Sequence, residues 1–322
     1  MERALTEPVL EVDGLVKHFD EVQAVDGVSL TLAPGEMLGL VGESGSGKST
    51  VANCIMRLLD PTGGTIRLKG TDITTLSRRQ LRPLRRELHM VFQDPYSSLN
   101  PRMTVGDIAG EPLRLHGLAS GAELDTRTAE LFEQVGLRPE VRDRYPHELS
   151  GGQRQRVGLA RALSVKPSVL IADEPVSALD VSVQAGILNL LRDLQAEMGF
   201  SCLFITHDLS IVEYLCDRVA VMYLGEVVET GTREDLFASP QHPYTQALLS
   251  AALVPDPEVQ RSRRRIVLEG DIPSPADPPS GCRFRTRCPR AEESSPRCVE
   301  ERPVLQGDGH LVACHLVEEG RA

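Results

Sequence analysis

The chain has 322 residues, 41% of them hydrophobic and 25% charged, which is the composition of a globular protein long enough to bury a sizeable core. Its net charge of −11 argues against nucleic acid as a partner, because proteins that bind nucleic acid usually present a basic face. No apolar run reaches about eighteen residues, and residues 1–13 carry acids without an apolar signal region, so we expect neither a membrane-spanning helix nor secretion.

Short β-like segments occupy the start of the chain. Residues 9–12, 24–25 and 28–32 are rich in Val and Leu, which predicts three short strands. Pro34 and Gly35 predict a turn, and the apolar residues 38–41 predict a short buried strand. This strand leads directly into the first functional motif.

A glycine-rich loop follows. Residues 42–50, Gly-Glu-Ser-Gly-Ser-Gly-Lys-Ser-Thr, fit the pattern G-x-x-x-x-G-K-[ST] of the phosphate-binding P-loop. The apolar stretch 51–59, which ends before Pro61, predicts a helix after the loop. Loop N–H groups and the helix N-terminus favour phosphate there, because unpaired N–H groups and the helix dipole attract an anion. The predicted nucleotide-binding residues are Gly42, Ser44, Gly45, Ser46, Gly47, Lys48, Ser49 and Thr50.

Strands and helices then alternate in a pattern typical of an α/β fold. Helical periodicity dominates residues 93–165, as in 126–135, where Leu131, Phe132 and Val135 share a face. Strands are predicted at 65–68, 88–92, 169–172, 203–206 and 219–224, with a helix over Val181–Met198. The sequence therefore predicts a strand–helix–strand core that carries an inserted helical block. Residues 255–281, which are rich in Pro, predict an irregular segment.

Four side chains have predicted chemical roles. Lys48 places a positive charge at the β- and γ-phosphates, and the hydroxyl of Ser49 is suited to bind Mg²⁺. Asp173 ends an apolar strand, where a carboxylate beside a P-loop holds the metal directly or through water. The next residue, Glu174, is the predicted general base that polarises the attacking water.

The order of the remaining motifs resembles that of the ATP-binding cassette (ABC) ATPases over roughly residues 9–250. Residues 149–153, Leu-Ser-Gly-Gly-Gln, match the family signature, which assigns Ser150, Gly151, Gly152 and Gln153 to nucleotide binding. Gln93 matches the glutamine of the Q-loop, which also binds the metal, and Asp180 matches the D-loop. His207 matches the switch histidine, which holds the γ-phosphate. Phe19 lies where the family places an aromatic ring against adenine, although a Phe at a strand end is as often a core residue.

The resemblance implies a two-part chain. Residues 1–250 would form an ABC ATPase domain with a RecA-like core, an antiparallel β subdomain and a helical subdomain at about 93–165. Residues 251–322 would form a C-terminal extension. Two cassettes would face each other head to tail, so that each ATP touches Lys48 of one subunit and Ser150, Gly151 and Gly152 of the other. ATP binding would close this pair, and hydrolysis would open it.

Three segments resemble the oligopeptide/dipeptide importer branch of the family: residues 94–102, 239–248 and 281–289. The resemblance implies an ATPase that powers peptide uptake, with importers of nickel or another small solute as the alternative. A soluble ABC ATPase of translation or DNA maintenance is a second alternative, but such proteins usually carry two cassettes or a long coiled coil. A regulatory cassette that acts mainly as a binding module is a third.

The same resemblance predicts the partners. They are a second ABC ATPase subunit, two membrane-spanning permease subunits and an extracytoplasmic substrate-binding protein, with no nucleic acid. The likeness of residues 94–102 to one member of a pair favours a different sister chain as the second ATPase subunit. The chain would then be peripheral, on the cytoplasmic face of the inner membrane.

Four cysteines crowd the C-terminal extension: Cys282, Cys288, Cys298 and Cys314. Five, nine and fifteen residues separate them, and no C-x-x-C pattern occurs, so spacing alone is a weak metal signal. Four thiolates suit an iron–sulfur cluster or Zn²⁺, and free thiols are the third reading. Resemblance to importer ATPases with a [4Fe–4S] cluster favours the cluster. His315 is predicted to be solvated, and Cys54, Cys202 and Cys216 to be small core residues.

Overall fold

The computed structural model describes residues 7–94, 96, 98–251, 265–290 and 296–320. They divide into two compact units. The helical unit comprises the described residues of Met1–Leu10, Leu32–Glu36 and Thr75–Leu203. The P-loop unit comprises those of Glu11–Thr31, Met37–Thr74 and Phe204–Ala322.

A β-hairpin supplies most of the small sheet of the P-loop unit. Strand β1 (Leu10–Phe19) and strand β2 (Val22–Leu32) flank a turn, and β4 (Gly63–Leu68) and β5 (Thr71–Asp72) complete the order β2-β1-β4-β5. The three short strands predicted for this region were wrong, because the structure has two long ones. Gly14 and Gly27 adopt φ of 55° and 83° inside them, and such irregular positions interrupt the apolar pattern without ending the strands.

A second group of strands positions the glycine-rich loop. Strand β3 (Met37–Val41), fully buried, pairs in parallel with β9 (Arg218–Tyr223). Strand β10 (Glu226–Thr232) pairs antiparallel with β9 and with β11 (Leu311–Val312). The loop therefore leaves the end of a strand that lies beside another buried strand.

The helices of the P-loop unit include the one predicted after the loop. That helix, α1, spans Lys48–Ile55 and so begins and ends earlier than expected. Gly47 is its N-cap, and Arg57, at φ 50°, has left the helical conformation. The others are α7 (Leu209–Leu215), α8 (Arg233–Ala238) and α9 (Pro243–Ala251).

The helical unit contains the expected α-rich segment. Its helices are α2 (Arg78–Leu84), α3 (Val105–Leu115), α4 (Ala122–Gln134), α5 (Gly151–Leu163) and α6 (Val181–Met198). Strands β6 (Leu88–Val91) and β7 (Val169–Asp173) pair in parallel, and β8 (Ser201–Thr206) runs from this unit into the P-loop unit. Ile108, Phe132 and Leu159 are at most 1% exposed and form the buried faces of α3, α4 and α5. The α/β class is confirmed.

The described part of the extension, residues 265–290 and 296–320, consists mainly of irregular chain with the four-residue helices Arg297–Glu300 and His315–Glu318. In the parts of the chain that the structure describes, no helix is both long and apolar enough to span a bilayer. Part of the predicted irregular segment 255–281 lies outside the described residues. Pro95 and Ser97, which belong to the segment 94–102 that resembles the importer branch, also lie outside them.

Charged side chains fasten the extension to the hairpin. Arg283 contacts Asp26, and its Nε lies 2.6 Å from Oε1 of Glu226. Arg302 contacts the same two acids, with distances of 2.9 Å to Asp26 Oδ2 and 2.7 Å to Glu226 Oε1. Arg283 is 6% exposed, whereas the side chain of Arg302 is 45% exposed, so one side of this network of two arginines and two acids is buried and the other faces water. Removing one partner of such a network would leave a partly buried charge without compensation, which is destabilising.

Candidate functional site

The glycine-rich loop is shaped by close backbone approaches. A Cβ at Gly42 would collide with the carbonyl oxygen of Met222, and one at Gly47 would collide with that of Ala24. Gly47 also adopts φ 103°, where side chains other than hydrogen are strained. These two positions therefore require glycine for physical reasons that are independent of any ligand.

Lys48 lies under the loop and is only 4% exposed. Its Nζ donates to the carbonyl oxygens of Gly42 at 2.8 Å and Glu43 at 2.9 Å, and to Ser46 Oγ at 3.4 Å. A buried ammonium must be hydrogen-bonded, so the loop supplies acceptors that hold the charge at its centre. The other predicted loop residues vary in exposure: Ser44, Gly45 and Ser49 are exposed, and Gly47 and Thr50 are half-buried.

The predicted metal ligand Asp173 and the predicted general base Glu174 stand at the end of β7, in the helical unit. Asp173 is 5% exposed and ends the strand. Glu174 adopts φ 44°, in the left-handed region that non-glycine residues seldom occupy. Its Oε2 accepts a hydrogen bond from Nε2 of Gln93 at 3.0 Å. The structure thus brings together the predicted base and the predicted Q-loop glutamine, and it holds the base in a costly backbone conformation typical of functional sites.

The signature residues form the start of α5. Ser150 is the N-cap, and its Oγ accepts from the backbone N–H of Gln153 at 3.3 Å. The side chain of Gln153 returns the contact, with Oε1 accepting from the N–H of Ser150 at 3.0 Å. This reciprocal capping box leaves the N-terminus of a thirteen-residue helix well defined.

Gly151 and Gly152 are glycines because of packing as well. A Cβ at Gly152 would lie 2.5 Å from Cγ1 of Val183, and one at Gly151 would lie 3.1 Å from Cδ2 of Leu179. Leu179 precedes Asp180, the N-cap of α6, and Val183 lies in the first turn of that helix. The signature and the predicted D-loop are therefore packed together within the helical unit, and the helix start that suits an anion is preserved there.

Two further predicted ligands belong to the P-loop unit. Phe19 ends β1 and is 41% exposed. Nζ of Lys17 lies 4.8 Å from the ring centroid. His207 follows β8 and is exposed. The exposed Phe19 argues against the core reading of that residue, and its contact with adenine stays a prediction.

The four cysteines of the extension lie near one another. The N–H of Cys282 donates to the carbonyl of Cys298 at 2.9 Å. The pKa of the Cys282 thiol is raised to about 12, mainly by burial, and the nearby thiols of Cys298, Cys314 and Cys288 act in the same direction. Burial likewise raises the pKa of Cys288 and Cys314. Four soft donors, two of them buried, have the chemistry of a cluster or zinc site.

Proximity does not amount to a formed metal site. Within the described ranges, no group of three or more His, Cys, Asp or Glu side chains is arranged to hold a metal. The prediction for His315 was wrong, because this residue is 2% exposed rather than solvated. Its Nε2 lies 3.0 Å from the carbonyl oxygen of Glu301, so it has a structural partner within the extension. Cys54, Cys202 and Cys216 are buried core residues, as predicted.

Sequence reasoning missed two contacts of Glu43, the second residue of the loop. Its N–H donates to Oη of Tyr244 at 2.9 Å. Its carboxylate accepts from Arg287 of the extension, with Nη1–Oε2 at 2.7 Å and Nη2–Oε1 at 3.2 Å. Glu43 fills a variable position of the motif, so the pattern gives no signal for a partner 244 residues away.

Comparison with known protein families gives two matches in tandem. A family described as "ABC transporter" matches residues 25–177. A second, described as "Oligopeptide/dipeptide transporter, C-terminal region", matches residues 228–295. The first match contains the loop, Gln93, the signature and Glu174, and the second contains Arg287 and two of the four clustered cysteines.

Similar proteins extend over nearly the whole chain. A Brucella ovis protein provisionally named a peptide import ATP-binding protein is 53% identical over 315 residues, which cover 95% of this chain and 97% of the relative. The oligopeptide transport ATP-binding protein OppF of Salmonella typhimurium is 49% identical over 325 residues, with 96% of each chain covered.

Solved structures share the fold. The ATP-binding cassette MJ0796, in a dimeric post-hydrolysis state bound to ADP and Pi, is 32% identical with a TM-score of 0.64, over 70% of this chain and 98% of that one. CbiO1 of Clostridium perfringens, part of the ABC transporter complex cbiONQ, is 31% identical with a TM-score of 0.65, over 72% and 91%. The predicted P-loop cassette fold is therefore confirmed.

Proposed function

This chain belongs to the ABC transporter family of ATP-binding proteins, and we propose that it hydrolyses ATP to power the import of di- and oligopeptides through membrane partners. The tandem match to the cassette and to the oligopeptide/dipeptide C-terminal region carries this proposal. Relatives that are about half identical over the full length and are named for peptide import support the substrate class.

The proposed ATP site assigns roles to the residues described above. Lys48 binds the β- and γ-phosphates with the N–H groups of the loop, and Phe19 stacks on adenine. Ser49, Gln93 and Asp173 would hold Mg²⁺, which would neutralise charge that develops on the phosphates. The remaining loop ligands are Gly42, Ser44, Gly45, Ser46, Gly47 and Thr50.

Hydrolysis is assigned to Glu174. Its carboxylate, which Gln93 orients, takes a proton from the attacking water as the water oxygen bonds to the γ-phosphorus and the bond between that phosphorus and the β-phosphate oxygen breaks, which leaves ADP and phosphate. His207 holds the γ-phosphate and orients the water. Ser150, Gly151, Gly152 and Gln153 bind the ATP of the facing cassette through the N-terminus of α5, with Asp180 beside them.

The proposed assembly has two ATPase subunits, of which the second is a different sister chain. The pair binds two membrane-spanning permease subunits on the cytoplasmic face of the inner membrane, and an extracytoplasmic binding protein delivers the peptide. The family, whose members include a dimeric cassette, supports the paired arrangement. We propose no role for nucleic acid.

The test measures ATPase activity of the chain co-assembled with its sister, permease and binding proteins in membranes. Di- and oligopeptides are expected to stimulate hydrolysis only when the binding protein and both permeases are present. Stimulation of hydrolysis by nickel or another small solute, but not by peptides, would show that the transported substrate is that solute and not a peptide. Strong activity of the isolated chain that membrane partners leave unchanged would instead favour a soluble ABC ATPase.

We further propose that Cys282, Cys288, Cys298 and Cys314 hold a [4Fe–4S] cluster, with Zn²⁺ as the alternative occupant. Their mutual proximity and the match to the C-terminal region support this assignment. A bound metal would supply charge that keeps the thiols deprotonated, against the burial that raises their pKa.

The full chain, purified without oxygen, is expected to contain iron and sulfide in equal amounts and to lose both in Cys288→Ser. Cys216→Ala, which changes a core cysteine away from the cluster, should retain them. Zinc without sulfide would establish the alternative occupant. A chain that carries neither metal would show that the cysteines are free thiols.

A further inference from the structure

The extension contacts the phosphate-binding loop through one arginine. Arg287 and Glu43 form a bidentate ion pair, with 2.7 Å between Nη1 and Oε2 and 3.2 Å between Nη2 and Oε1. We propose that Arg287 is a positioning residue for the loop, so that the extension forms part of the support of the ATP site. This inference rests on the proposed binding of ATP at the loop.

Every polar group of Glu43 is engaged. Its N–H donates to Tyr244, its carbonyl accepts from Nζ of Lys48 at 2.9 Å, and its carboxylate pairs with Arg287. One residue therefore joins the lysine that binds phosphate to the arginine of the extension. Loss of Arg287 would release the carboxylate of Glu43. Because the carbonyl of Glu43 also positions Lys48, a shift of Glu43 would move the lysine that binds phosphate.

The pair is shielded from water, which separates it from ordinary surface salt bridges. The side chains of Arg287 and Glu43 are 8% and 27% exposed. The guanidinium lies 5.9 Å from the ring centroid of Tyr223, which packs edge-on against Tyr244 and Phe284 at 4.8 and 5.2 Å. A planar guanidinium beside aromatic rings and opposite a carboxylate is fixed in orientation, which a lysine ammonium would not be.

A second contact reinforces the first. Nη1 of Arg283 donates to the carbonyl of Leu224 at 2.7 Å, and the next N–H, that of Gly225, donates to the carbonyl of Ser46 at 2.9 Å. The extension thus also fixes the turn between β9 and β10 that is hydrogen-bonded to the loop. Both ends of the segment 43–46 are therefore linked to the extension, one directly and one through a turn.

A neighbouring arginine provides the matched control. Arg285 lies between the two anchors in sequence, and its guanidinium bonds within the extension, with Nε donating to the carbonyl of Ser280 at 2.9 Å. Arg285→Ala removes the same charge from the same segment without touching the Glu43 pair.

The experiment measures the dissociation constant of ATP and the kcat and KM of hydrolysis for full-length variants in the assembled complex. Arg287→Ala is expected to weaken ATP binding about 10-fold and raise KM similarly, with kcat changed by less than about threefold. Arg287→Lys should recover only part of the loss, and Arg285→Ala should match the unaltered chain. Glu43→Gln should lose as much as Arg287→Ala, and the double variant should lose no more than either single one.

Several outcomes overturn the proposal. Unchanged ATP affinity in Arg287→Ala, or losses that add in the double variant, would show that the pair does not position the loop. If Arg287→Ala fails to fold, Glu43→Gln, which keeps the side-chain shape, decides by the same measurement. The variant Lys48→Ala distinguishes failure of this inference from failure of the proposed ATP site. If Lys48→Ala still binds ATP, the ATP site is rejected. If Lys48→Ala loses ATP binding while Arg287→Ala binds ATP normally, only the role of Arg287 is rejected.

Discussion

Glu174→Gln is expected to abolish ATP hydrolysis while leaving ATP bound. A positioned general base contributes about 10²- to 10⁴-fold to the rate, and the amide cannot accept the proton of the attacking water. The variant keeps the length and shape of the side chain, so phosphate binding by the loop is unaffected. Binding without turnover should trap the ATP-bound, closed pair of cassettes.

The surroundings of Glu174 allow this substitution to change the chemistry of the side chain while the local structure is kept. Glu174 keeps its backbone at φ 44° at the end of a fully buried strand, and glutamine occupies the same backbone region at similar cost. Its Oε1 can replace the carboxylate oxygen that now accepts from Gln93 at 3.0 Å. The expected loss therefore reports chemistry and not collapse of the strand end.

The measurement is the turnover of ATP beside the dissociation constant of ATP in the same preparation. Glu197→Gln, which neutralises an exposed acid of α6 in the same unit, is the matched control and should retain full activity. Hydrolysis within about threefold of normal in Glu174→Gln would remove Glu174 from its proposed role.

Lys48→Ala is expected to weaken ATP binding by about 100-fold or more. The lysine is the charged group that the loop encloses, and hydrogen bonds to charged partners in such a site contribute about 1.5 to 3 kcal/mol each. The variant also leaves the carbonyls of Gly42 and Glu43 without the donor that now lies 2.8 and 2.9 Å away. Both effects act on the loop and not on Glu174.

Titration with ATP, with thermal unfolding to verify the fold, checks this expectation. Lys166→Ala is the control, because Lys166 carries the same charge at an exposed position of the helical unit. An ATP affinity that Lys48→Ala lowers no more than Lys166→Ala does would contradict phosphate binding by the loop.

Local patterns in the sequence predicted the elements that depend on near neighbours. The strand before the loop and the helix Val181–Met198 were found because their apolar periodicity is uninterrupted. The helix after the loop was placed too late, since Gly47, which caps it, carries no signal that distinguishes a cap from the rest of a glycine-rich loop. The long hairpin strands were missed at Gly14 and Gly27, where the chain bends without leaving the sheet.

The candidate site likewise contains some features that local sequence patterns predict and others that depend on residues distant in sequence. The P-loop and signature could be predicted because their chemistry demands particular residues at fixed spacing, and the capping box of Ser150 and Gln153 is a local interaction. The burial of His315 and the pairing of Glu43 with Arg287 depend on residues that are distant in sequence. No periodicity or spacing contains that information.

The network that fastens the extension to the hairpin also sets an order for biosynthesis. Asp26 is synthesised 257 and 276 residues before its partners Arg283 and Arg302. At about 5 to 20 residues per second, Asp26 waits at least about ten seconds for its first counter-charge, whereas Glu226, which is made much later, waits at least about three seconds. Until Arg283 has been made, the hairpin cannot bury Asp26 with that partner, so the contact between the hairpin and the extension forms only after the chain has been synthesised to at least residue 283.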